Sequence, residues 1–511
     1  MTVPDWRVHL PAGTDGSTVD LLAGGTLVGS WTAAWAADPD RVVLSTLDGA
    51  GTTAAELVER TAAAAGRLAG AGLRPGDRVL VSAQPSVDLI VAYVGALRYG
   101  LTVVPVNTAA TERELSSVVG EARPVAAVLD EPSRAGPELR VLPPDLAGLA
   151  AADPGPLDQA QPEDVALVVY TSGTTGAPKG VPLTHANLLA SAHAVRIAWR
   201  WTPQDRLALC LPLFHVHGLG VGLHGTLTTG ASAIVIPRFD PATVAEAVRT
   251  AGATMFFGVP TMYHRLAGSP HLGDLRGLRL AVSGSAPLPA ELHAAVAAGS
   301  GQRVLERYGM TETIMLVSNP YDGERRPGTV GFALPGVGLR LTPREGDFPA
   351  EGKAPRDSGV AEIEVTGPNV IDGYLDRPEA NAAAFTVDGW FRTGDLGELD
   401  PDGYLRISGR AKELIITGGY NVYPREVEEV LRAHPGVADA AVVGVPSAEW
   451  GETVVAFVVP ADAVDTAALR DGLDGWCAER LAPYKRPRDW RWIEAVPRNA
   501  MGKVLRHELA P

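Results

Sequence analysis

The chain has 511 residues, a formal net charge of −15 and 46% hydrophobic residues, enough to bury more than one core and to divide into two or more domains. This composition excludes disorder, a collagen-like repeat and a small disulfide scaffold, and its acidic balance offers no basic stripe to a nucleic-acid backbone. Two cysteines far apart in sequence, Cys210 and Cys477, exclude a cysteine-rich metal site and point to a reducing compartment, so a cytoplasmic protein is expected.

No basic region followed by an apolar core opens the chain, so no signal peptide is expected. Residues 53–105 alternate an alanine-rich amphipathic helix (54–69), an apolar strand (78–82), a helix (86–99) and a strand (102–106), the pattern of a mainly parallel sheet. The polar, proline-rich stretch 131–163 separates this block from a second one. That block has strands at 165–170, 233–236 and 255–258 and a helix starting near Thr184. The uncharged run 207–237 is long enough to raise the question of a membrane span. With His215, His217, His224 and many glycines, it reads instead as a buried helix between core strands.

After Gly359 come short alternating strands (361–366, 404–408) around a Pro401-Asp402-Gly403 turn. A compact α+β module follows, with helices at 424–433 and 466–480 and strands at 437–445 and 453–460. The expected fold is α/β: a large N-terminal domain of parallel-sheet lobes over 1–395 and a small mobile α+β domain over 396–511.

Lysine is scarce. Five of the 44 basic residues are lysine (Lys179, Lys353, Lys412, Lys485, Lys503), and an ammonium follows a moving phosphate or carboxylate better than a planar guanidinium does. Lys179 closes Tyr170-Thr171-Ser172-Gly173-Thr174-Thr175-Gly176-Ala177-Pro178-Lys179-Gly180, directly after an apolar strand. Glycines let backbone amides approach phosphates, hydroxyls add donors and one cation neutralises charge. No Gly-Lys-Ser/Thr follows, so it is not a Walker A loop.

This loop resembles the phosphate loop of the acyl-adenylate-forming family: acyl-CoA synthetases, nonribosomal adenylation domains and luciferases. Further family motifs follow in order: Glu306-Arg307-Tyr308-Gly309-Met310-Thr311-Glu312-Thr313, Trp390-Phe391-Arg392-Thr393-Gly394-Asp395, Gly409-Arg410-Ala411-Lys412-Glu413, Thr417-Gly418-Gly419-Tyr420-Asn421 and Pro497-Arg498-Asn499-Ala500-Met501-Gly502-Lys503. The resemblance implies an ATP- and Mg²⁺-dependent ligase that joins a carboxylic acid to coenzyme A through an acyl-adenylate, with neither nucleic acid nor membrane as partner and no carrier domain in the chain.

The resemblance also distributes roles. Thr171, Ser172, Gly173, Thr174, Thr175 and Lys179 would cradle phosphates, with Glu312 and Thr175 on the magnesium ion. Ser283, Gly284, Arg307, Gly309, Met310 and Thr311 would border the nucleotide, Tyr308 would stack on adenine, and Asp395 would accept from the ribose hydroxyls beside Arg410. Lys503, with Glu312, Thr171 and His215, would serve catalysis. Lys503 would hold the carboxylate and α-phosphate as charge redistributes, and Lys412 would mark the hinge about which the small domain turns between half-reactions. Gly418, Gly419, Tyr420, Trp450, Tyr484, Arg486 and Arg488 match positions that receive coenzyme A.

For the acid, the segments 211–219, 258–265 and 319–326 look most like malonyl- and methylmalonyl-CoA synthetases. That likeness gives Arg265 the second carboxylate and places His215, His217, Ser283, Gly309, Met310 and Leu316 around the acyl group. Leu316-Val317 stands where a polar Asn-Thr pair is expected, which favours a 2-alkylated malonate or another acyl group. A fatty-acyl or aryl-CoA ligase is the alternative. An amino-acid-activating domain lacks its acidic residue, because His215 follows Phe214. A non-catalytic nucleotide sensor is disfavoured by retention of Glu312 and Lys503. A serine hydrolase lacks the Gly-x-Ser-x-Gly elbow around Ser283 and Ser285.

Overall fold

The structure is a computed structural model that describes residues 6–134, 139–171, 178–343, 359–447, 449–461, 466–499 and 502–509. Two large sheets form the N-terminal part. One runs through nine strands in the order Phe332–Ala333, Val317–Ser318, Leu305–Tyr308, Leu280–Ser283, Met255–Gly258, Arg206–Leu209, Ser232–Val235, Val42–Ser45, Gly51–Thr53. From Leu305–Tyr308 to Val42–Ser45 all neighbours are parallel. The second has six strands, ordered Arg140–Leu142, Ala126–Leu129, Arg78–Ser82, Thr102–Pro105, Val165–Thr171, Lys179–Thr184, the last antiparallel. Parallel strands need crossovers, and these are the helices whose apolar faces close the core. The helices Ala54–Gly70 and Glu112–Ala122 start on reciprocal capping boxes, Thr53 with Glu56 and Thr111 with Glu114.

The uncharged run is divided as its polarity suggests. Strand Arg206–Leu209 leads, through Phe214 and His215, into a π-helical turn His217–Leu223, helix His224–Thr229 and strand Ser232–Val235. His224 is buried with its Nε2 at 2.7 Å from the Tyr93 hydroxyl, a core histidine held neutral. Among the described residues, no helix is long and apolar enough to cross a membrane.

A four-stranded antiparallel sheet follows, Gly338–Thr342, Ala361–Thr366, Phe391–Leu399 and Leu405–Arg410, and then a separate five-stranded sheet with its own core. The expected domain boundary at 395/396 falls inside strand Phe391–Leu399, which pairs with neighbours on both sides. Sheet pairing instead puts the passage between units in the short turn Ala411–Glu413, where Lys412 lies.

One buried cluster ties the large sheet together at the end away from the crevice described below. Asp205 accepts from the Thr202 amide (2.8 Å), the Thr254 hydroxyl (2.9 Å) and two nitrogens of Arg279 (2.5 and 2.7 Å). Thr254 in turn accepts from the Arg206 amide, so the starts of three neighbouring strands share one carboxylate. Asp205→Ala should lower the unfolding free energy by about 3–5 kcal/mol, because Arg279 is left half-buried and unpaired. Urea unfolding followed by circular dichroism checks this, and a loss of a few tenths of a kcal/mol would show that the cluster is dispensable.

Candidate active site

The parallel strands end on a common edge, and a crevice of about 880 Å³ opens there against the C-terminal unit. Ligands of α/β sheets bind outside the carboxyl ends of the strands, where loops meet helix N-termini. Three groups of side chains gather at this edge.

The first group surrounds Asp395. Strand pairing sets Asp395 opposite Arg410, whose Nε lies 3.0 Å from Oδ1, while the Tyr308 phenol donates to Oδ2 at 2.5 Å. Burial, reinforced by Asp395, holds the Tyr308 hydroxyl protonated well above its ordinary range, so it acts as a fixed donor. Lys503 lines the same crevice from the C-terminal unit. Burial, aided by the charge of Arg410, lowers its pKa to about 8. Lys412, just past Arg410, is lowered too by burial and by Arg410.

The second group is the phosphate end. Thr171 and Lys179 are register partners at the mouth of a hairpin whose tip, Ser172, Gly173, Thr174 and Thr175 included, lies outside the described residues. The Lys179 ammonium sits 4.6 Å from the centre of the Tyr374 ring. The Tyr374 hydroxyl donates to Glu312 Oε1 at 2.9 Å, and burial raises the Glu312 pKa. Among the described residues no cluster of three His, Cys, Asp or Glu could cage a metal. The buried Glu312 carboxylate, with Tyr374 on one oxygen, fits a hard cation that takes one carboxylate from the protein and its other oxygens from phosphate and water, as Mg²⁺ does. Thr311, Met310 and Gly309 connect the two groups, and Glu312 follows on a turn in which Ile314 adopts φ 57°. For a β-branched side chain this left-handed conformation is strained, a feature that collects at functional sites.

The third group is cationic and buried. Arg307, on strand Leu305–Tyr308, is 6% exposed, and its Nε and Nη2 have no hydrogen-bond partner among the described residues. Burial lowers its pKa to about 9. The guanidinium lies over the backbone of Gly284, where a Cβ would come within 2.4 Å of Nε. Beside it is His217, whose Nε2 is unpartnered among the described residues and whose Nδ1 shares a 3.2 Å hydrogen bond with Ser285; Ser283, its hydroxyl also unpartnered, is the register partner of Glu306 and so faces the other side of the sheet. Burial, Arg307 and His215 hold His217 well below its ordinary pKa, hence neutral. His215 is lowered to about 4 by burial and tilts against Phe214. Leu316 is fully buried in the main core, its amide donating to the Tyr308 carbonyl.

Arg265, expected to hold the second carboxylate, lines the crevice only at its exposed rim. Its side chain is 55% exposed at the rim of the crevice, paired with Asp240 at 3.6 Å and lying over the Phe239 ring. The apolar run before it is strand Met255–Gly258, but Arg265 falls in the last turn of the following helix, Pro260–Ala267, and points outward. Tyr374 and Ser285 were not singled out from sequence as site residues. A serine at φ 70° between two site motifs carries no composition signal, and Tyr374 reaches Glu312 from 62 residues away.

In the C-terminal unit, Gly418 adopts φ 56°, and a Cβ there would come within 2.9 Å of the Trp450 indole. Arg488 stacks on Trp450 at 3.8 Å, and Tyr420 stacks on Tyr484 at 4.6 Å; Gly419 lies between, with open space where a Cβ would be. Arg486, expected to contact coenzyme A, donates instead to the carbonyls of Leu481 and Ala478 at the end of helix Thr466–Arg480. This is a helix cap, which leaves Arg488 as the better placed cation.

Comparison with known proteins identifies the family. Residues 31–375 match the AMP-binding enzyme family and residues 426–503 its C-terminal domain. A sulfoacetate–CoA ligase of Cupriavidus necator is 38% identical over 98% of this chain and 99% of its own. ATP-bound MatB from Rhodopseudomonas palustris is 41% identical and superposes with a TM-score of 0.85 over 94% of this chain and 98% of that one. A malonyl-CoA ligase in a ternary product complex with methylmalonyl-CoA and AMP is 42% identical, with a TM-score of 0.64 over 97% and 100%. The chain belongs to the AMP-binding enzyme family and is an acid–CoA ligase of its acyl-adenylate-forming branch.

Proposed function

We propose that this ligase acts on a short acid that carries a second anionic group, malonate or a 2-alkylmalonate, and consumes ATP and coenzyme A. The observation that carries the reading is Arg307, a buried guanidinium that has no counter-ion among the described residues and lies beside the unpartnered Nε2 of His217. An isolated buried cation costs several kcal/mol, and a substrate anion that fills the gap recovers that cost. The names of two similar proteins, ligases of sulfoacetate and of malonate, share this chemistry, since both acids are short and doubly anionic.

In the first half-reaction the acid's reacting carboxylate attacks the α-phosphorus of ATP, and pyrophosphate leaves. Lys503 and Arg410 stand where charge builds on the α-phosphate, while Asp395 accepts from the ribose. Glu312 would hold a magnesium ion, which would supply neutralising charge to the phosphates. In the second half-reaction the coenzyme A sulfur attacks the acyl carbonyl and AMP leaves. The open space at Gly419, beside the Gly418–Trp450 contact, is the place read for the pantetheine, and turning about Lys412 carries Lys503 away. The higher TM-score against the ATP-bound relative than against the product complex, at similar identity, supports an arrangement suited to the first step.

Lys503→Ala should lower adenylation about 10²- to 10³-fold while sparing thioester formation from supplied acyl-adenylate. A lysine works here as the cation, so adenylation should fall as pH rises through about 8, and this limb should vanish in thioester formation. Pyrophosphate release and AMP release measured separately across pH check both statements; equal losses in the two steps would reject the assignment.

Substrate choice is checked by mass spectrometry of thioesters formed from a panel of mono- and dicarboxylic acids. Malonate and small 2-alkylmalonates should lead, and a preference for octanoate or benzoate would establish the monocarboxylate alternative. Arg307→Met should cut turnover of malonate by about 10²- to 10³-fold, spare butyrate, and leave the fold as stable or more so, because an unpaired buried charge is removed. Arg265→Ala should cost less than about threefold, as expected of an exposed ion pair.

A further inference from the structure

We infer that Arg498 is a positioning residue for Lys503, a clamp that fixes the aim of the adenylation lysine by holding the carbonyl just before it. The inference rests on the reading of Lys503 given above. Arg498 Nη1 donates to the Gly502 carbonyl at 2.8 Å, and Nη2 donates to Asp439 Oδ2 at 2.7 Å. Asp439 is itself fixed at the start of strand Val437–Ser447, where its Oδ1 accepts from the Ala440 amide at 2.8 Å and faces Arg432 at 3.8 Å. One planar guanidinium therefore joins the rigid sheet of the C-terminal unit to the peptide that bears Lys503.

The turn around this peptide is closed by short bonds. The Asn499 amide donates to the Lys503 carbonyl at 2.9 Å, the Gly502 amide donates to the Asn499 carbonyl at 2.8 Å, and the Lys503 amide donates to Asn499 Oδ1 at 3.0 Å. These bonds shape the turn but do not tie it to the sheet, and the Arg498–Asp439 pair does. Arg498, Asp439 and Lys503 all belong to the C-terminal unit, so the clamp travels with that unit. The clamp bears on chemistry when Lys503 faces the nucleotide and not when it has turned away. Losing it lets the ammonium wander by an ångström or so, which costs on the order of tenfold to a hundredfold in a step that needs it placed.

The test uses Arg498→Met, Arg498→Lys, Lys503→Ala and the Arg498→Met/Lys503→Ala double variant of the full chain, with the two half-reactions assayed separately. The expected result is a tenfold to hundredfold loss of adenylation kcat in Arg498→Met, with KM for ATP within about twofold and thioester formation from supplied acyl-adenylate unchanged. Arg498→Lys, which keeps the charge but cannot bridge both acceptors, should fall between wild type and Arg498→Met. The double variant should be no worse than Lys503→Ala alone, since a clamp has nothing to aim once the lysine is gone. Equal losses in both half-reactions, no loss in either, or additive losses in the double variant would overturn the clamp. If Lys503→Ala itself left adenylation intact, the reading of Lys503 would fall and the clamp with it. An effect of Lys503→Ala without one of Arg498→Met would overturn the clamp alone.

Discussion

Burying the Arg307 guanidinium with no carboxylate beside it among the described residues runs against the rule that interior charges are paired, and the neighbouring residues accommodate that exception. Strand alternation sends Glu306 to the opposite face, where its carboxylate accepts from the amides of Leu288 and Gly328 and cannot reach across the sheet. A glycine at 284 leaves room for the guanidinium to lie on the backbone. Neutral His217 beside it is polar but offers no negative charge. A site that keeps a cation and withholds its partner is selective for a ligand that brings the anion, because any other occupant leaves the desolvation cost unrecovered.

Around that fixed floor the reacting end is built from both units. Asp395, Arg410 and Tyr308 are locked to one another by strand register and short hydrogen bonds, whereas Lys503 reaches the crevice on a turn of the C-terminal unit. On the proposed reading, the sheet-borne residues orient the nucleotide, and the unit carrying Lys503, which would leave for the second step, is attached through the short turn Ala411–Glu413. Placing recognition in the sheet and the moving charge in a separate small unit lets one crevice serve two chemically different steps.

Much of this was legible in the sequence. The alternation of strands and helices over 53–106 and 165–258 gives the parallel sheets directly, and the ordered motifs give Asp395, Arg410, Glu312 and Lys503. The legibility ends where three-dimensional direction decides. Arg265 follows an apolar run, but a helical turn rotates it to the rim. Arg307, two positions from a buried leucine on a strand, points inward because strand side chains alternate. Arg486 and Arg488 are equivalent as text, yet one caps a helix and the other lies on an indole. The 395/396 boundary followed a change of composition, while the hydrogen-bonded pairing of strand Phe391–Leu399 carries the first unit on to Arg410.

The central claim is that Arg307 is paired by the substrate's second anion. Titration calorimetry in the presence of a non-reactive ATP analogue, with malonate and its monomethyl ester as ligands, tests it at equilibrium. The two acids share the malonate skeleton; the ester carries one charge fewer and one methyl group more, so the Arg307→Met comparison is what isolates the charge. Wild-type protein should bind malonate at least about a hundredfold more tightly than the ester, and this gap should close in Arg307→Met. A gap of the same size in both proteins would contradict the account and place the distal anion elsewhere.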